Sequence, residues 1–285
     1  MMLLKNIISN SAPSFVGTLT ENRHVERILA YMQLNNSWLS EFDSVIFSFN
    51  GTENICEYFI EEYSKQYKNK PILLYSENLG HTFGTLDNDR KIFEYAQDHK
   101  EIEYIWKFSA DVLANSTIFD IDIDESCSFF YVNNIGYAAF DKYSQEELIQ
   151  AIQDQTYFYP QTNHYIYKNN LDLWIPSKDQ ISTLKEKYDQ AKQTNENVNP
   201  WDVLSGEEAF LPEGEGCACE AYLAQTILAN NCKKQQLLSR DILVKLTDLI
   251  KEHLIYDGSH KNILYSRLGG LCHYHLMNGM AVQVW

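Results

Sequence analysis

The sequence predicts an α/β fold: a Rossmann-type, mostly parallel sheet with helices on both faces, plus an α-rich C-terminal lobe. Two observations carry the prediction. Apolar runs of strand length alternate with segments of helical period from residue 14 to residue 108. Beyond that point helical periods dominate, separated by aromatic and irregular stretches. Strands that alternate with helices form parallel sheets covered on both faces.

The elements follow in order. Ser14–Thr20 reads as a first strand built on Phe15, Val16 and Leu19. Val25, Ile28, Leu29 and Met32 fall at i, i+3, i+4, i+7, one face of a helix. Ser44–Phe49 is a compact apolar strand. Ile55, Tyr58, Phe59 and Tyr63 supply the next helical face, with Thr52 as N-cap and Glu53 suited to the positive helix end. Pro71 opens a strand over Ile72–Tyr75. A polar, glycine-bearing loop of about ten residues follows, long enough to suggest function. The expected helix after it covers Asp87–His99, with Ile92, Phe93 and Ala96 inward, and Tyr104–Phe108 closes the series as a buried strand.

In the second half, Phe129–Asn133 and Ile135–Phe140 read as strands and Glu146–Gln153 as a short helix. Gln155–Tyr167 reads as aromatic and irregular. Ile181, Leu184, Tyr188 and Ala191 mark a helix, Asn195–Pro200 is a polar break, and Cys219–Asn230 and Ile242–Leu254 have helical period. These segments form an α-rich lobe packed on the sheet.

Composition narrows the function classes. With 23 Lys and Arg against 39 Asp and Glu, the 285-residue chain carries a formal charge of −16. No basic stripe is available for nucleic acid or an anionic membrane surface. Hydrophobic residues at 45% exclude a disordered chain. Six cysteines do not make a disulfide scaffold in a chain of this size. Met1–Lys5 holds too short an apolar run for a signal peptide. The longest stretch free of Asp, Glu, Lys and Arg, Leu268–Trp285, contains His273, His275 and three glycines, which suits burial in protein better than a membrane span. The expected compartment is a reducing cytoplasm. The 19 tyrosines exceed what a small core needs, so some are expected to face a ligand or partner.

In a parallel sheet ligands sit beyond the carboxyl ends of the strands. The segments there are Thr18–Asn22, Asn50–Asn54, Ser76–Asn88 and Ser109–Asn115. Glu77–Ala96, with Asn78-Leu79-Gly80 and Gly84, and Glu103–Leu113, with a strand running into Ser109-Ala110-Asp111, carry the most information. Together they resemble the nucleotide-sugar glycosyltransferases of the GT-A fold, of the family-2-like kind. In that family an Asn-X-Gly element follows the third strand, and a later strand ends in an Asp-X-Asp motif. The resemblance covers about residues 14–140 in element order; Ser109 stands where the motif has its first Asp.

The resemblance implies transfer of a sugar from a nucleotide-diphosphate donor to a hydroxyl of a carbohydrate, lipid or protein acceptor. It divides the chain into a nucleotide-sugar-binding α/β lobe, residues 1–150, and an acceptor-side lobe, residues 151–285, within one structural unit. Asn78, Gly80, Gly84, Arg90 and Asp111 would bind the donor. Asp111, with His273 or His275, would hold Mn²⁺ or Mg²⁺ against the diphosphate, whose charge grows as the glycosidic bond breaks. Glu220, at the entrance of a helix after the loop Leu211–Cys219, would be the catalytic base.

Each residue also has a structural reading. Asp111 can cap the turn after its strand, and Asn78, Gly80 and Gly84 can simply make turns. Arg90 can pair with Asp87 or Glu94 along a helix face. Glu220 can complement a helix dipole, and either histidine can be structural. Two other functions remain open. One is a catalytically degenerate GT-A-like binding or scaffold module, which Ser109 favours. The other is a sugar nucleotidyltransferase, which needs a glycine-rich basic loop after the first strand where this chain has Thr18-Leu19-Thr20-Glu21-Asn22.

Overall fold

The computed structural model describes residues 2–110, 112–113, 119–133, 142–158, 160–170 and 176–194, and beyond them 223, 227–228, 231–237, 240, 243–244 and 282–283. The alternating half folds in the predicted order: β1 (Ser11–Leu19), α1 (Asn22–Leu39), β2 (Ser44–Gly51), α2 (Glu53–Gln66), β3 (Lys70–Glu77), α3 (His81–Asp98) and β4 (Tyr104–Ser109). The second half adds β5 (Phe129–Asn133), α4 (Gln145–Gln153), β6 (Pro160–Lys168), α5 (Lys178–Thr194) and β7 (Lys234–Gln236). All seven strands join one sheet in the order β7-β5-β6-β4-β1-β2-β3. Only β6 runs antiparallel to its neighbours, so the sheet is mostly parallel, as expected.

Alternation along each strand divides the core into two layers. Phe15, Leu19, Phe47, Phe49, Trp106 and Phe108 face α1 and α2. Ala12, Val16, Ile46 and Ile105 face α3 with Ile92 and Ala96. The first layer is aromatic. Trp38 of α1 sits 5.1 Å from Phe108 and 6.3 Å from Phe15 by ring centroids, and Phe59 and Tyr63 of α2 meet Phe47 edge-on. Such edge and tilted contacts add to the area that the rings bury. Tyr31, Tyr63, Tyr104, Tyr131, Tyr165 and Tyr167 are buried as well. These six tyrosines serve the core.

Three expectations change. Gln155–Tyr167 is not irregular throughout: Pro160–Lys168 is a nine-residue strand inserted between β4 and β5. Its tyrosines, Tyr165 and Tyr167, alternate with His164 and Ile166, a period of two. The loop after β3 spans only Asn78–Gly80, because α3 starts at His81. Thr52 occupies the N-cap of α2 without a side-chain cap bond, although Glu53 does lie in the first turn. The structure bears out the helices at Glu146–Gln153 and about Ile181–Ala191, the first through a capping box of Ser144 and Glu147. Ile135–Phe140 and Asn195–Pro200 lie outside the described residues, as do most of Cys219–Asn230 and Ile242–Leu254.

Candidate functional site

The four parallel strands β3-β2-β1-β4 all end on one rim. The chain passes from β1 through α1 to β2 and on to β3 on one side, then returns through α3 to β4 on the other side of β1, so the strand order reverses between β1 and β4. That is the switch point where open α/β sheets bind ligands. Gly17 and Ala110 line it: a Cβ on Gly17 would stand 3.1 Å from the Ala110 Cβ. Ala110 N–H donates to the Val16 carbonyl at 2.7 Å, which carries the ladder past the end of β4. On the other flank Gly51, with φ of +147°, lets β2 turn so that Thr52 N–H reaches the Leu19 carbonyl at 2.8 Å. A Cβ there would lie 2.0 Å from that carbonyl oxygen.

The rim is polar on one face and apolar on the other. Thr18, Ser48, Asn50, Lys107 and Ser109 share the α3 face by strand alternation, while Leu19, Phe49 and Phe108 point to the aromatic layer. Thr18 Oγ1 donates to Asn50 Oδ1 at 3.0 Å, and Ser48 Oγ donates to the Asn88 carbonyl at 3.0 Å. The Asn50 and Asn88 amides both donate to the Gly17 carbonyl, at 3.4 and 3.3 Å. Beside them Lys107, 1% exposed, places Nζ 3.3 Å from Asp89 Oδ1 and 5.2 Å from the Tyr165 ring centroid. Burial pushes the Asp89 carboxyl up, while Lys107 and the Tyr165 hydroxyl draw it back. Burial, and then the Lys107 charge, push His164 down to about 4, so its imidazole is neutral at pH 7.

Sequence reasoning missed this polar layer. Its signal was present in the alternation within SVIFSF and YIWKF, where Ser48 and Lys107 interrupt runs read as apolar, each two residues before Asn50 and Ser109 at the rim.

The predicted donor-binding residues meet different fates. Asn78 and Gly80 lie on the same rim as Ser109 and Ala110, but beyond the edge strand β3. Three strand spacings, about 14 Å, separate them from β4. Asn78 Oδ1 accepts from Gly80 N–H at 2.9 Å, an Asx turn that launches α3. Gly84 sits in the first turn of α3, not in a loop, and it lets the helix approach the sheet: a Cβ would stand 2.5 Å from Asn50 Nδ2. Arg90 is buried and committed, donating to Asp87 at 2.8 Å and to Glu94 at 2.5 Å. The predicted partners are right: Arg90 and Asp87 are buried, and Glu94 reaches them from the exposed side. Asp111, Glu220, His273 and His275 lie outside the described residues.

Gly80 makes a direct test of the turn. Its φ of +80° and ψ of −179° suit glycine alone, yet among the described residues other than its chain neighbours no atom lies within 4 Å of a Cβ built there. Gly80→Ala and Gly80→Leu are therefore expected to cost nearly the same, about 1–3 kcal/mol, because strain and not bulk sets the penalty. Denaturant titration of the two variants checks it; a much larger loss for Leu would refute the open space.

Among the described residues no group of three His, Cys, Asp or Glu side chains stands ready for a metal ion. One backbone feature bears on the predicted ligands. Val282–Gln283 pairs antiparallel with Val112–Leu113, Gln283 opposite Val112. The chain's last strand thus runs beside the residues that directly follow Asp111, and His275 precedes that strand by only seven positions.

No family model matches the chain, and no curated protein matches it. Among solved structures it is similar to mouse xyloside xylosyltransferase 1 in its apo form, at 10% identity and a TM-score of 0.38, over 81% of this chain and 85% of that one. It is also similar to core-mannan synthase A from Aspergillus fumigatus in a Mn/GDP form, at 12% identity and a TM-score of 0.38, over 80% of this chain and 72% of that one. Among the described residues no helix is long and apolar enough to cross a membrane.

Proposed function

We propose that the protein is a glycosyltransferase that binds one nucleoside-diphosphate sugar at the β1–β4 switch point and transfers the sugar to an acceptor hydroxyl. The strand order carries the reading. β3-β2-β1-β4 is one nucleotide-binding half of a doubly wound sheet. Where a second parallel half would follow, the antiparallel β6 intervenes, which favours a mononucleotide over a dinucleotide as the ligand.

The polar α3 face supplies neutral donors and acceptors at that rim, and Ser109-Ala110-Asp111 leads out of it. A phosphate cradle of the glycine-rich kind has no place after β1. There Thr20 passes directly into α1, and the N-cap Glu21 pairs with Arg23 at 2.7 Å. This counts against a nucleotidyltransferase. Asp111 and one of His273 and His275 would hold Mn²⁺ or Mg²⁺, consistent with the strand pairing beside Asp111. Bound there, the cation would neutralise the departing diphosphate. Glu220 would take the proton of the acceptor hydroxyl from the side of residues 151–285.

Thermal shift against UDP, GDP, CDP and NAD⁺, with and without Mn²⁺, tests the reading. One nucleoside-diphosphate series should stabilise the protein, by about 2.7 kcal/mol at a hundredfold excess over its Kd. Transfer of radiolabelled sugar from the matching donor should follow. Binding without transfer to any acceptor or water supports the binding-module alternative. No shift with any nucleotide, or a shift with NAD⁺ alone, refutes the proposal.

A further inference from the structure

Two consecutive residues of α3 hold the sheet where the strand order reverses. α3 lies over β1, β2 and β3. Asn88 ties it to two of them: its amide donates to the Gly17 carbonyl of β1 at 3.3 Å, and its carbonyl accepts from Ser48 Oγ of β2 at 3.0 Å. Asp89, the next residue, reaches across the switch point to β4, where Lys107 Nζ stands 3.3 Å from Oδ1, and it also accepts from the Tyr165 hydroxyl of β6. One helix thus fixes β1 and β4 together beneath Gly17 and Ala110. Ser109 stands two residues past Lys107 on the same face.

The fold itself does not require a charge at position 107. In register across the sheet, Lys107 leads to Ser14, Ile46 and Ile72, and Ile105 precedes it on its own face. An aliphatic side chain would suit that row. Replacing a buried ion pair by uncharged residues is often neutral or stabilising, so net stability is a weak reason for this one. A lysine does something an aliphatic residue cannot: it spans from β4 to a helix seated over the other strands and fixes which residue of that helix β4 meets.

We propose, on the donor reading above, that Lys107 and Asp89 are positioning residues for the donor site. They hold the end of β4, from which Ser109-Ala110-Asp111 leads, in step with the end of β1 that Asn88 holds. The pair acts through the backbone above it, where Ala110 N–H donates to the Val16 carbonyl at 2.7 Å. Without the pair, β4 keeps its ladder lower down but loses its anchor near the rim. The carboxylate that follows Ala110 is then held less closely for a cation and a diphosphate, as when a supporting partner of a ligand group is removed.

Lys107→Met/Asp89→Asn in the full chain tests the proposal, because it removes both charges while Asn keeps an acceptor for the Tyr165 hydroxyl. Amide hydrogen exchange should show protection lost at Ala110 while the amides of β2 keep theirs. Mn²⁺-dependent binding of the nucleoside diphosphate should weaken by about tenfold, although most of the melting temperature is recovered. Unchanged affinity overturns the proposal, whatever happens at Ala110. Protection that falls evenly through β1, β2 and β4 overturns it too, because the pair would then stabilise the whole sheet and position nothing. A wild type that binds no nucleotide refutes the donor reading instead, and exchange at Ala110, which needs no ligand, still decides whether the pair anchors the rim.

Discussion

Lys107→Met is expected to destabilise the protein by about 3–5 kcal/mol, among the largest effects of any single change. Lys107 is buried in the middle of β4, and its charge is balanced by Asp89 on α3. Removing the ammonium leaves the Asp89 carboxylate with the Tyr165 hydroxyl but no counter-charge. The cost comes from the stranded charge more than from the lost attraction. Two checks separate this from a general packing defect. Lys107→Met/Asp89→Asn removes both charges and should recover much of the loss. The deficit should also shrink in acid. The Asp89 carboxyl is raised by burial, and without Lys107 it rises further. A group whose folded pKa lies above its unfolded value contributes stability below the unfolded value and loses it as pH rises through the folded one. Relative to wild type the variant should therefore be closest at low pH and furthest behind above neutrality. His164 is present in both proteins, so its own acid destabilisation largely cancels in the comparison. A deficit independent of pH, unrelieved by Asp89→Asn, would show that the pair is not coupled in this way.

Where the sequence was read correctly, local pattern and tertiary environment agreed. Phe15, Val16 and Leu19 made a central strand, and the Ile28 and Met32 stripe faced the sheet. Tyr104–Phe108 lay where an alternating fold needed it. The failures have identifiable causes. Gly84 and the residues just before Asp87 looked like loop because Gly80 and Gly84 disfavour helices. Tertiary contact overrides that preference: Gly84 is where α3 touches Asn50, and Asp87 and Arg90 satisfy one another. The strand β6 was hidden because its first residues, Pro160 to Asn163, lack the apolar alternation that begins only at His164. Its position between β4 and β5 depends on long-range pairing that no local window contains.

The candidate site was legible in outline only. The rim followed from strand order, and Ser109 ends a buried strand as expected, with Ala110 just past it. Lys107 and Ser48 escaped notice because each sits inside a run that reads as apolar. A single polar residue in such a run reveals its use only when the face opposite is known. Arg90 shows the converse, since its charge suggested a ligand and the fold gives it Asp87 and Glu94.

The largest functional effect is expected at Asp111. Under the proposed reading Asp111→Asn should weaken Mn²⁺-dependent binding of the nucleoside diphosphate on the order of 100-fold, because the carboxylate is the charged oxygen donor at that strand end. The remaining phosphate charge would then face a protein of net charge −16 with less cation to shield it. Folding should change little, since Asn can keep an Asx turn at that position. Ser109→Asp gives the opposite sign. Ser109 closes β4 on the polar α3 face, two residues past Lys107, and a carboxylate there rebuilds a two-acid motif. It should strengthen Mn²⁺ dependence by roughly tenfold where its oxygen reaches the same cation. Lys107 and Asp89 are already paired beneath it, so the added charge has no free cation in that pair to neutralise. Calorimetric titration of Mn²⁺ at fixed nucleotide should rank Ser109→Asp above wild type and wild type above Asp111→Asn. Three superimposable curves would remove metal-bridged donor binding from this rim, and Asp111 would then be a residue that caps the turn after β4.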